Sequence, residues 1–163
     1  MADARELLVE WLRDAYAAEE QAQTLFSRTA SQVDIEASFP ETLNRHSARS
    51  EAHAERVKGC LQSLGESPSV IKTVTGQVVA LAQSIAGYLV DDEPVKALLA
   101  TATFARMQVT SFEILEIAAR TVGEPSIAET CRSIHAEKEH LADWIEGQVA
   151  TVTEGYLVGL RAI

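Results

Sequence analysis

Residues 8–26 read LVEWLRDAYAAEEQAQTLF. Stepping through them by threes and fours picks out Leu8, Leu12, Ala15, Glu19, Ala22 and Phe26, one stripe along an α-helix that is apolar except at Glu19. The same stepping recurs three more times. It gives Leu43, His46, Ser50, His53, Val57, Cys60 and Leu64; then Leu98, Thr101, Ala105, Gln108, Phe112, Leu115 and Ala119; then Ile127, Thr130, Ile134, Glu137, Leu141 and Trp144. Four long seams, with almost no alternating polar and apolar stretches, predict an all-α chain folded as a four-helix bundle.

The few helix breakers set the joints. Asp3 is the expected N-cap of a first helix reaching about Arg28, and Ser38-Phe39-Pro40-Glu41 reads as a capping box opening a second that closes at Leu64-Gly65. A loop holding Gly65, Pro68 and Gly76 leads to one additional short connecting helix, from about Gln77 to Val90. Asp91-Asp92-Glu93-Pro94 starts a third long helix, ended at Val122 by a left-handed Gly123, and Pro125-Ser126 starts a fourth that runs to about Ala150. Residues 1–163 are read as a single domain with no internal repeat, and the apolar tail Tyr156 to Ile163 is expected to pack on something.

Composition narrows the function classes. With 14 Lys and Arg against 24 Asp and Glu, the formal charge of −10 repels phosphate backbones and anionic bilayers, so neither nucleic acid nor membrane is an expected partner. Val78-Val79-Ala80-Leu81-Ala82 soon meets Gln83 and Ser84, too short a run to span a bilayer. Cys60 and Cys131 have no CxxC spacing, and no signal-like segment opens the chain, which reads as reduced and cytoplasmic.

Polar residues on inward stripes carry the chemistry. A buried carboxylate must be paired, protonated or bound to a cation, which makes Glu19 and Glu137 conspicuous. Glu137-Lys138-Glu139-His140 is an ExxH motif, and with Glu19 and His53 it supplies Glu and His from three helices, the pieces of bundle di-iron sites. Glu19, His53, Glu137 and His140 are therefore the candidate metal ligands. The set is incomplete, because Ser50 stands three residues before His53 and the third seam offers no strong ligand at its centre. A satisfied network of Glu, His, Ser50, Gln108 and Tyr16 accounts for the same pattern without an ion.

The chain resembles the YciE/YciF-type bacterial stress proteins, a ferritin-like family, from about Leu7 to Trp144. The resemblance rests on Asp14-Ala15-Tyr16-Ala17-Ala18-Glu19-Glu20-Gln21, on His46 followed by Arg56 and Leu64-Gly65, and on Glu137 in the fourth-helix acidic motif. It implies a ferritin-like four-helix bundle, commonly a homodimer, with a carboxylate-rich centre that holds two metals in many members. Glu19 and Glu137 match two of the implied ligands, and His53 stands where the family has Gln or His. Two glutamates of the family's third-helix motif fall on Ala105 and Gln108, and a second-helix Glu-Thr pair falls on Arg49-Ser50.

These replacements point to a degenerate di-metal centre in a non-catalytic stress-linked or interaction protein without a cofactor. One alternative keeps a single Fe, Mn or Zn ion on Glu19, His53, Glu137 and His140. The other is a metal-independent acid/base enzyme, for which Cys60 would be the reactive group to test.

Overall fold

The computed structural model describes residues 3–34, 36, 38–67, 80, 83, 84, 87 and 93–161. Four long helices form a bundle: α1 (Ala4–Gln32), α2 (Ser38–Ser63), α3 (Pro94–Thr121) and α4 (Pro125–Gly147), with a shorter α5 (Val149–Arg161) continuing from α4. Among the described residues there is no strand. The expected connecting helix at 77–90 lies almost wholly outside the described residues.

The joints follow local chemistry. The Asp3 backbone N–H donates to Glu6 Oε2 at 3.0 Å, satisfying a donor at the start of α1. Pro94 and Pro125 occupy the first turns of α3 and α4, where their missing N–H costs nothing. Gly65 and Gly123 adopt φ of +93° and +82° just past α2 and α3. Beyond each of them the next N–H turns back onto the helix, Glu66 to Leu61 O at 3.1 Å and Glu124 to Ala119 O at 2.8 Å.

Two ends differ from the sequence reading. α1 runs a turn past Arg28, because Thr29, Ala30 and Val33 are buried and the Thr29 hydroxyl meets Thr101 at 2.7 Å. Thr101 spends its own proton on Ala97 O, so Thr29 is the donor. The fourth helix stops at Gly147 rather than Ala150. α5 buries only Val152, and the described part of the tail, 156–161, is helical with Leu157, Val158 and Leu160 exposed.

The core consists of two apolar clusters stacked along the bundle axis. One gathers Leu8, Leu12, Val57, Leu61, Phe112, Leu115, Ile127 and Ile134; the other gathers Phe26, Phe39, Leu43, Leu98, Phe104, Leu141 and Ile145. Chain order through the two clusters shows α1 and α4 running one way and α2 and α3 the other. The fold is thus up-down-down-up, with α1 on α2, α3 on α4 and α1 on α3 as the main contacts. Arg13 clips α1 to Glu66 beyond the end of α2, and Arg106 joins α3 to Asp143 and Glu146 of α4 at 2.8 Å each.

Candidate functional site

Between the two clusters lies a polar layer to which every long helix contributes. On α1, Glu19 sits between Ala15 and Ala22; on α2, Ser50 and His53 lie between Leu43 and Val57. On α3, Gln108 sits between Ala105 and Phe112, and on α4, Lys138 between Ile134 and Leu141. All five side chains are buried, Glu19 completely.

Lys138 is the hub. Its Nζ donates to Glu19 Oε2 at 2.7 Å, with longer contacts to Gln108 Oε1 at 3.3 Å and Ser50 Oγ at 3.4 Å. An ammonium has three protons, and three oxygens from three other helices receive them. Gln108 Nε2 donates to Glu19 Oε1 at 3.0 Å, which fixes the amide orientation and engages the second carboxylate oxygen. Burial pulls the Lys138 pKa down, while the charge of Glu19 and its hydrogen bond push the other way.

His53 links this centre to the surface. Its Nε2 lies 2.9 Å from Glu137 Oε2, and Arg56 Nη1 donates to the other Glu137 oxygen at 3.0 Å. An ionised carboxylate only accepts, so Nε2 carries the proton. Burial pushes the Glu137 pKa up, but the His53 contact and Arg56 outweigh it and hold the carboxyl below its ordinary value. His53 Nδ1 is buried without a hydrogen-bond partner among the described residues, 3.7 Å from Glu19 Oε2.

The four residues proposed from sequence are therefore placed differently. Glu19 and His53 are in the layer, Glu137 is half-buried at its rim, and His140 is exposed on α4. Tyr16, expected in the network, turns its hydroxyl to Glu20 at 3.1 Å. Arg49, the expected positive replacement, is exposed; the positive charge at the centre comes from Lys138.

On α4 the buried face lies one residue beyond the seam that the spacing predicts at three of its positions, and this brings Lys138 to the centre in place of Glu137. The buried stripe is Ile127, Cys131, Ile134, Lys138, Leu141 and Ile145, an unbroken four-three alternation, whereas Thr130, Glu137 and Trp144 are only half-buried. That phase was available in the apolar Cys131 and Ile145. A lysine is so seldom buried that the sequence pattern favours the neighbouring glutamate as the inward polar residue.

Fold and centre together define an all-α, ferritin-like four-helix bundle with an ionic layer across its middle. The chain belongs to the family described as Domain of unknown function (DUF892), whose model matches residues 3–158. It is similar to a solved Xanthomonas campestris protein, at 26% identity with a TM-score of 0.83 over 98% of this chain and 99% of that one. The E. coli stress protein YciF shares the fold at 16% identity and TM-score 0.80, covering 94% of this chain and 99% of YciF. So does YcfI from Rhodopseudomonas palustris, at 18% identity and TM-score 0.76, covering 89% and 94%.

A two-metal centre of the kind the resemblance implies does not fit these residues. Bridging two divalent ions takes several carboxylates, and among the described residues the layer holds only Glu19, both of whose oxygens are engaged by protein donors. Ala105, where the resemblance implies a glutamate, packs in an apolar cluster. Among the described residues no group of three or more His, Cys, Asp and Glu is gathered as a metal ion requires.

Proposed function

We propose that this protein is a non-catalytic, YciF-type bundle with a degenerate di-metal centre, acting as a stress-linked or interaction protein through its surface. One observation carries the reading: Glu19, the only carboxylate at the centre among the described residues, is neutralised by Lys138 of the same chain at 2.7 Å. The centre then has no charge left for a divalent cation to balance. Anaerobic reconstitution of untagged protein with Fe(II), followed by elemental analysis, tests it. Substoichiometric iron is expected; two irons per chain with oxidase turnover overturns the reading.

A single-ion site on Glu19, His53, Glu137 and His140 draws support from the unpartnered His53 Nδ1. It requires Glu137→Ala and His53→Ala each to abolish binding of the same Fe, Mn or Zn ion. Acid/base catalysis at Cys60 is disfavoured by its environment, since burial pushes the thiol pKa up and away from the reactive thiolate. Iodoacetamide should leave Cys60 unmodified in the folded protein.

The interaction partner we propose is a second copy. Leu7 and Trp11 of α1 line one apolar face with Met107, Ile114 and Ile117 of α3. Trp11, Ile114 and Ile117 are exposed there, and contiguous exposed apolar side chains of this kind mark surfaces that meet protein. No described helix is long and apolar enough to cross a membrane. The buried, unpaired Cys60 and Cys131 suit a reducing, cytoplasmic setting, and the charge of −10 disfavours nucleic acid.

A further inference from the structure

We infer that the central layer is a cation cage whose resident cation is the Lys138 ammonium, and that its ligand class is a primary alkylammonium rather than a metal ion. The inference rests on the reading that the centre binds no metal, and goes beyond it by assigning the site a ligand chemistry of its own.

The cage is built from four helices. α4 supplies the cation, while α1, α2 and α3 supply Glu19 Oε2, Ser50 Oγ and Gln108 Oε1 at 2.7, 3.4 and 3.3 Å from it. These are one anionic and two neutral oxygens, matching the single charge and three protons of an ammonium. A divalent ion would be left under-neutralised by the same set and would need ligands replacing most of its water. Gln108 cannot turn its amide nitrogen into the cage without losing its bond to Glu19 Oε1 and facing the ammonium with a donor. On α4 the lysine is flanked by the buried apolar Ile134 and Leu141, with an apolar cluster on either side of the layer, so an alkyl chain is a better companion there than a hydration shell.

Lys138→Ala keeps the oxygens and removes the cation. Thermal unfolding of the full-length variant is to be followed against n-propylammonium chloride, with tetramethylammonium chloride, sodium chloride and MnCl2 or ZnCl2 matched for ionic strength. The expected result is a saturable rise in Tm with n-propylammonium only, of several degrees, absent in the native protein and in the Lys138→Ala/Glu19→Gln double variant. A response no larger than that to tetramethylammonium, which has no N–H, overturns the inference. So does a response that persists without the Glu19 charge, or stronger stabilisation of Lys138→Ala by Mn or Zn. Metal binding by the native protein is a different result, which overturns the proposed function. If Lys138→Ala is recovered only as aggregate, refolding yield reads the same question: a higher yield with n-propylammonium than with tetramethylammonium supports the cage, and equal yields overturn it.

Discussion

At the scale of single residues, the ion pair most withdrawn from water among the described residues is Glu19–Lys138. Both side chains are essentially withdrawn from water, so removing one partner leaves the other as an uncompensated buried charge. Lys138→Met should therefore cost about 3–5 kcal/mol, seen as a lower denaturation midpoint in urea at unchanged slope. Replacing both partners together, as Glu19→Leu with Lys138→Met, should recover much of the loss, because the desolvation penalty of both ions disappears. A double variant no more stable than the single one would mean that Ser50 and Gln108 depend on the pair for their own hydrogen bonds. His46 offers a second residue-scale outcome. Burial first, then the positive Arg49, Lys138 and Arg45, push its pKa down to about 4, from an ordinary value near 6.5. With the folded value below the unfolded one, the unfolded chain takes up a proton first as pH falls. His46 thus contributes stability above about pH 6.5 that is lost progressively toward pH 4. An NMR titration should find the ring neutral at pH 5.5, and His46→Gln should flatten the stability profile across that window.

At the scale of helices, seams of α1 and α3 were legible residue by residue: Leu8 to Phe26 and Leu98 to Ala119 are buried at every position the spacing picks out. They were legible because apolar residues flank the one central polar group on each side and pin the phase. In α2 the spacing placed Ser50 and His53 correctly, yet His46 and Leu64 stay half-buried: the helix begins by burying Phe39 against Trp144, and Leu64 falls in the turn after Ser63. The α4 phase slipped because Thr130, Glu137 and Trp144 form a plausible neighbouring stripe, and composition alone gives no reason to bury a lysine. Glycine termini were plainer. Gly123 holds φ +82° with open space where a Cβ would go, so a side chain there meets backbone strain rather than a clash. Gly123→Ala should destabilise by about 1 kcal/mol without altering helical content, measurable as a lower urea midpoint. The halt at Gly147 carried no such signal, since Gln148 adopts ordinary right-handed geometry there.

At the scale of the whole molecule, excess acid and exposed apolar surface act against each other. A chain of −10 repels its own copies, so association needs a face where apolar contact outweighs that repulsion. The α1–α3 groove provides one: among the described residues that line its two adjoining hollows, Asp14 alone is charged. The α5 tail is the competing face, with Leu157 at 52% and Val158 at 62% exposure. Truncation separates the two poorly, because cutting after Ala150 also removes the buried Val152. Point charges separate them cleanly. Ile114→Glu, at a position 47% exposed in the native chain, should leave the far-ultraviolet spectrum and the central pair intact, while adding like charge and a desolvation penalty to the groove. Light scattering after size exclusion should then give a monomer, with Leu157→Glu remaining dimeric. Added salt should tighten the proposed dimer by screening the two acidic bodies from each other, and should not restore the variant, whose defect lies in buried contact. Dimeric Ile114→Glu beside monomeric Leu157→Glu would move the interface to α5; two unchanged dimers would exclude both faces.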